Sequence, residues 1–182
     1  MKKTKFSAFL STTVVCYLFW LLLTGQLVAL IQPNNPFSAQ VLIAGAIVSV
    51  LTALFSARFF VHEKAFWFFN PIKLILLVVY CLIIFMWELI KANVSMFCYV
   101  FGLKKTNPGI VKVETDLESE YAQSMLANSI TLTPGTITMD IAESKGKTYY
   151  YIHWIDVSTQ DMKEAGDSIK GTMEKWIRRI WR

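Results

Sequence analysis

Two uncharged stretches near the N-terminus constrain this chain more than anything else in it. Phe6 to Ile31 runs for 26 residues and Phe37 to Ala57 for 21 without a single Asp, Glu, Lys, Arg or His. About 20 apolar residues suffice to cross the hydrocarbon core of a bilayer, so each run predicts a membrane-crossing helix. Lys2, Lys3 and Lys5 precede the first run, as basic residues precede a signal peptide. A signal peptide, however, has an apolar region of only about 7 to 15 residues that ends at a small-residue cleavage site. The first run is therefore read as a retained span. Gln32-Pro33-Asn34-Asn35-Pro36 separates the two runs with prolines and turn-forming amides, which predicts a short reversal and a helical hairpin. Ala44-Gly45-Ala46 and Ser49 give the second helix small surfaces for close contact.

The charges sort around these runs. Through Gly102 there are seven Lys and Arg against two acids, whereas from Leu103 onward there are eleven of each. The whole net charge of +5 thus sits beside the apolar segments. Lys and Arg collect on the cytoplasmic side of membrane proteins, which assigns the N-terminal lysines, Arg58 and Lys64 to that side. The neutral remainder carries no basic field of the kind nucleic acid requires, so no nucleic-acid partner is expected.

Phe66-Trp67-Phe68-Phe69 is an aromatic cluster suited to the headgroup level, and Asn70-Pro71 caps a third helix predicted over 71–101. On that helix Lys73, Tyr80, Glu88, Lys91 and Ser95 fall within about 80° of one another at 100° per residue, and the rest is apolar. Two readings stay open: a third span with its stripe toward protein, or a helix lying in the interface with its stripe toward water. Two spans and an interfacial helix keep the C-terminal part cytoplasmic, which is the preferred topology. Three spans would put it outside.

Residues 1–102 are therefore read as membrane helices (6–31, 37–57 and 71–101) and 103–182 as a small soluble α+β domain. Gly109 to Thr115 alternates Val111 and Val113 with Lys112 and Glu114, the pattern of a half-buried strand. A helix follows from Glu118 to about Thr131 and ends at the Pro134-Gly135 turn. Strands over 136–142 and 147–155 form a hairpin across Glu143-Ser144-Lys145-Gly146. Ser158 to Asp161 has the spacing of a capping box, which predicts one last helix carrying Met162, Ala165, Ile169, Met173, Trp176, Ile177 and Ile180 on one side. The order strand-helix-strand-strand-helix predicts a three-stranded sheet covered on one face by both helices.

Catalytic chemistry is hard to find. There is no glycine-rich phosphate loop, no nucleophile elbow and no paired metal motif, and His62-Glu63 fails the zinc-helix pattern at Phe66. Cys16, Cys81 and Cys98 lie in apolar helical stretches as small hydrophobes. No catalytic residue, cofactor or metal is expected. His153, between Ile152 and Trp154, reads as a core or interface residue, and Asp140 and Asp156 as acids near strand ends. Glu88 is the one costly residue, an acid among Ile84-Phe85-Met86-Trp87 and Leu89-Ile90. Lys91 at i+3 offers it an ion-pair partner, and a proton-linked role is the alternative.

Thr131-Leu132-Thr133-Pro134-Gly135-Thr136, followed by Asp140 and by Tyr151-Ile152-His153-Trp154, resembles the E subunit of the multisubunit sodium/proton antiporters, the Mrp or Mnh family. Lys91-Ala92-Asn93-Val94-Ser95 after Trp87-Glu88-Leu89 is similar to the segment following the third apolar helix there. The resemblance covers nearly the whole chain. It implies a multi-pass accessory subunit of a bacterial plasma-membrane complex exchanging cytoplasmic Na+ for H+, with the other antiporter subunits and membrane lipid as partners. Thr133, Pro134, Gly135, Thr136, Asp140 and His153 would form its signature, in a structural or interface role. A self-sufficient membrane-anchored sensor or ligand-binding protein is the alternative.

Overall fold

The structure is a computed structural model that describes residues 2–26, 38–60, 69–144 and 146–182, and for 2–5 and 58–60 the backbone alone. The expected reversal at Gln32 to Pro36, the basic group around His62 and Lys64 and the aromatics Phe66 to Phe68 lie outside the described residues. The chain divides into two compact units, Met1–Asn70 and Pro71–Arg182.

The first unit is a hairpin of α1 (Lys2–Leu23) and α2 (Ala39–Phe60). Both contain windows long and apolar enough to cross a membrane, Phe6–Leu23 and Ala39–Ala57. The uncharged run extends past α1, which leaves the helix at Thr24-Gly25, where Gly25 has a φ of 70°. Gly45, Ser49, Ala53 and Ala57 recur every fourth residue of α2, and all four are buried. That spacing makes one small-residue stripe along which helices approach closely, and Ala8 and Ser11 of α1 are buried as well. The close approach is clearest at Trp20. Its indole N–H donates to the Val41 carbonyl at 3.0 Å, and a Cβ placed on Gly45 would lie 2.3 Å from Trp20 Cδ1.

The second unit joins the third apolar helix to an α+β part. Helix α3 (Pro71–Val100) is likewise long and apolar enough to span, and Pro71 opens it as expected. Its hydrogen bonding widens to a π-helical stretch over Tyr80–Phe85. An inserted wide turn absorbs about one residue, so Tyr80 and Glu88, about 80° apart on an unbroken α-helix, come to share one face. The stripe read from an ideal helix is thereby re-phased.

Strand β1 (Gly109–Thr115), helix α4 (Glu120–Leu132), β2 (Thr136–Ser144), β3 (Lys147–Trp154) and helices α5 (Met162–Lys170) and α6 (Met173–Trp181) follow. The sheet is antiparallel with β3 central, in the order β1-β3-β2. Alternation places Val111, Val113, Tyr150 and Ile152 inside, where they meet Leu126, Ile130, Ala165, Met173, Ile177 and Ile180 in one buried core. The expected last helix is two. Asp161, not Ser158, caps α5, its carboxylate accepting from the amides of Lys163 and Glu164 at 2.9 and 3.0 Å. Gly171, at a φ of 50°, then turns the chain between α5 and α6. A largely covered ion network clamps this break to the end of β1. Lys170 Nζ lies 2.7 Å from Glu174 and donates to the Glu114 carbonyl at 2.6 Å, while Glu174 accepts from the Thr115 hydroxyl and the Asp116 amide.

Candidate functional site

The threonine-rich turn is a helix terminus whose orphan carbonyls are met by side chains. Thr133 and Thr136 both donate their hydroxyls to the Ile130 carbonyl, at 2.7 and 2.8 Å. These bonds close the last turn of α4, whose C-terminal carbonyls have no partner further along the helix. Thr131 Oγ1 accepts from the Thr138 amide at 3.1 Å, and the Thr138 hydroxyl donates to the Ala127 carbonyl at 3.2 Å. Four threonines thus latch the end of α4 to the start of β2. Gly135 has a φ of 98°, and an added Cβ would lie 3.0 Å from Ile155 Cγ2 and 3.5 Å from Met96 Cε. Its carbonyl accepts from the Ile155 amide at 2.9 Å. Glycine is required there twice over, by conformation and by the side chains pressed against it.

Met96 belongs to α3, and the same face of that helix is tied to the α+β part along its length. Near the start of α3, Lys73 Nζ donates to the Arg182 carbonyl at 2.8 Å. Tyr80 is fully buried, its phenol 2.7 Å from Ser129 Oγ. The Ser129 hydroxyl donates to the Met125 carbonyl, so the phenol is the donor to Ser129. Glu88 holds Lys91 Nζ at 2.6 Å and accepts from the Thr172 hydroxyl at 3.3 Å. Near the end of α3, Tyr99 donates to Asp156 Oδ2 at 2.7 Å.

Between these contacts lies an open pocket of about 260 Å³. Helix α3 lines it with Glu88, Lys91, Ala92, Ser95, Met96 and Tyr99, the turn with Thr133, Pro134, Gly135 and Thr136. Trp154, Ile155, Ser168, Ile169 and Met173 complete the wall. Six of the eight site residues expected from the sequence are therefore brought together. Asp140 and His153 lie elsewhere. His153 is paired in register with Ile110 and Ile137 in the sheet, and Asp140 sits beside a register shift in β2, where its carboxylate accepts from the Ile141 amide at 2.8 Å. Sequence reasoning missed Tyr99 and Thr172, and noted Trp154 and Asp156 without placing them here, because their partners are 57 or more residues away or they join the wall only through the fold. An acid–base pair beside hydroxyls and aromatic faces is suited to binding. Among the described residues no group of three His, Cys, Asp or Glu is placed to hold a metal.

The family model described as "MNHE: Na+/H+ ion antiporter subunit" matches residues 13–180. The chain is 37% identical over 150 residues to the Na(+)/H(+) antiporter E subunit of Bacillus subtilis (strain 168), covering 82% of this chain and 88% of that one. It is 33% identical over 168 residues to the corresponding E1 subunit of Staphylococcus saprophyticus, covering 92% of each. Among solved structures, a chain of the membrane-bound sulfane sulfur reductase (MBS), an archaeal respiratory membrane complex, superposes with a TM-score of 0.72 at 34% identity, covering 96% of this chain and 99% of that one. With the match running through both hairpin helices, the paired Glu88 and Lys91 and the threonine latch, the chain belongs to the E-subunit family of Na+/H+ antiporters.

Proposed function

We propose that this chain is an accessory subunit of a multisubunit plasma-membrane antiporter, one that supports assembly and stability while other subunits carry the main ion path. In this reading the complex exchanges cytoplasmic Na+ for H+. The observation that carries it is the chemistry of the apolar helices. Phe6–Leu23 and Ala39–Ala57 contain no ionisable side chain besides Cys16 and Tyr17, and the one acid of α3, Glu88, is neutralised by Lys91 at 2.6 Å. A relay across a membrane needs several titratable groups in series.

The same reading puts α3 in the interface and the α+β part in the cytoplasm. Contacts to that part run from Lys73 to Tyr99, roughly 35–40 Å of helix against a hydrocarbon core of about 30 Å. Were α3 to cross the core, the α+β part along its flank, with its ion network, would be drawn into hydrocarbon at great cost. Lying flat, α3 meets lipid with Ile75, Leu82, Trp87, Ile90, Val94 and Phe97, all exposed and apolar.

Two experiments test the proposal. The complex carrying Glu88→Gln is expected to be less abundant while each assembled complex exchanges ions at the wild-type rate; wild-type abundance with lost exchange would assign Glu88 to the ion path. In a cysteine-free background, Ser144→Cys should resist a membrane-impermeant maleimide in intact cells, and ready labelling would overturn the topology.

A further inference from the structure

The pocket beside Glu88 is more than a joint between elements: we propose that it binds the headgroup of a zwitterionic aminophospholipid from the adjoining leaflet. The inference rests on the interfacial placement of α3. Charge is the first argument. The Glu88 side chain is 15% exposed and that of Lys91 51%. A carboxylate has about four acceptor positions and an ammonium three donors, so the pair keeps capacity of both kinds after its own bond and the one from Thr172. A ligand with an ammonium and a phosphate a few bonds apart complements that pair in reverse order. A purely anionic ligand would meet Glu88, and a purely cationic one Lys91.

The walls fit the same ligand. Trp154 adds an aromatic ring suited to an ammonium, Met96 apolar contact for the methylenes, and Ser95 a hydroxyl one turn from Lys91, while the Tyr99 ring already has Lys104 Nζ 5.8 Å from its centroid. Position is the third argument. Lys91 sits on a seam of α3, with Glu88 and Ser95 in the pocket at i−3 and i+4, and with Trp87 and Val94 at i−4 and i+3, 61% and 63% exposed. A headgroup bound at Lys91 therefore leaves its acyl chains beside the apolar face that meets the bilayer.

The test is retention of lipid by the full chain in mild detergent, read by native mass spectrometry after incubation with dioleoyl phosphatidylethanolamine, phosphatidylcholine or phosphatidylglycerol. Phosphatidylethanolamine should be retained about tenfold better than either of the others, because only it offers N–H donors to Glu88 together with a phosphate for Lys91. Glu88→Gln should erase that preference and Lys91→Gln should lower retention of the preferred lipid about tenfold, while Lys112→Gln on β1 changes nothing. Lys91 is half exposed, so its variant decides the matter if Glu88→Gln fails to fold. Equal retention of the three lipids, a preference for phosphatidylglycerol, or a preference untouched by both variants would overturn the proposal. Soluble phosphoethanolamine should compete weakly; tight binding of it without lipid retention would make the ligand a free metabolite and overturn the lipid assignment. A nitroxide at Val94→Cys in a cysteine-free background of the full chain, in the same detergent, separates the two readings. Val94 immersed with no lipid preference sinks the pocket proposal alone, whereas Val94 in water sinks the interfacial helix with it.

Discussion

Helices α1 and α2 on one hand and α3 on the other are alike in composition and unlike in construction. All three are long and apolar enough to cross a membrane. Among the described residues the hairpin buries only small ones, Ala8, Ser11, Gly45, Ser49, Ala53 and Ala57, and is held by shape, with Trp20 laid on Gly45. Helix α3 has no small-residue stripe. It buries Tyr80 and covers Glu88, Ser95 and Tyr99 against a charged α+β part. Length and hydropathy measure how much of a helix lipid tolerates. What its polar side is matched with decides how it lies.

The contrast breaks most sharply if the two units can be destabilised separately. Leu126 is fully buried in the core beneath the sheet, so Leu126→Ala should cost about 2–5 kcal/mol. Hydrogen exchange on the full chain in detergent should then rise in α4 and β3 and stay unchanged in α1 and α2. Equal loosening of the hairpin would mean that the units share one cooperative core. The converse variant, Gly45→Val, forces a branched side chain into the Trp20 ring and should cost roughly 1–3 kcal/mol. Faster exchange should follow in α1 and α2 alone; an unchanged hairpin would show that its contact is not set by close approach.

The same contrast explains what was legible in the sequence. Uncharged runs show the hairpin helices because lipid exposure leaves a one-dimensional trace. Alternation shows β1 and β3 because one face is buried, Val111 and Val113 against Lys112 and Glu114. The shared pocket of Glu88, Lys91 and Thr133 to Thr136 was half legible, since the residues stood out singly while their meeting depends on the fold. The wide turn at Tyr80–Phe85 was not legible, because its residues suit an ordinary apolar helix and the buried Tyr80–Ser129 bond that accompanies it depends on the fold. The break at Gly171 was hidden too, because apolar spacing continues through it from Ile169 to Met173. The capping spacing misled because Ser158 and Asp161 both suit a cap, and Asp161 takes the two free amides.

Tyr80 sharpens the comparison at the level of one bond. Tyr80→Phe removes the phenol donated to Ser129 and leaves the Ser129–Met125 bond in place. The expected loss is about 0.5–1.5 kcal/mol, seen as faster exchange where α3 meets α4. An effect spread evenly over α3 would mean that the helix is held by lipid and not by this contact.

The smallest effect is conditional on pH and belongs to the α+β part alone. Tyr150 is fully buried in β3 and donates to the Gln123 carbonyl at 2.9 Å. Burial foremost, and the charge of Glu174 second, raise its phenol above the ordinary value of 10.0. A raised acidity constant means that the folded state holds the proton more tightly than the unfolded chain does. That contribution is fully present below pH 10 and is lost as pH rises beyond it, when the unfolded chain ionises and the folded one resists. Near neutral pH, Tyr150→Phe should cost about 1 kcal/mol, the worth of one hydrogen bond. Above pH 10 the wild-type protein should lose stability relative to the variant, so that the two melting curves converge and then cross. Because Tyr150 is far in sequence from the hairpin and buried in another unit, exchange in α1 and α2 should be the same for both proteins throughout. A constant gap between wild type and variant from pH 7 to 11 would show that Tyr150 ionises in the folded state as easily as in the unfolded one, and that the core beneath the sheet admits water.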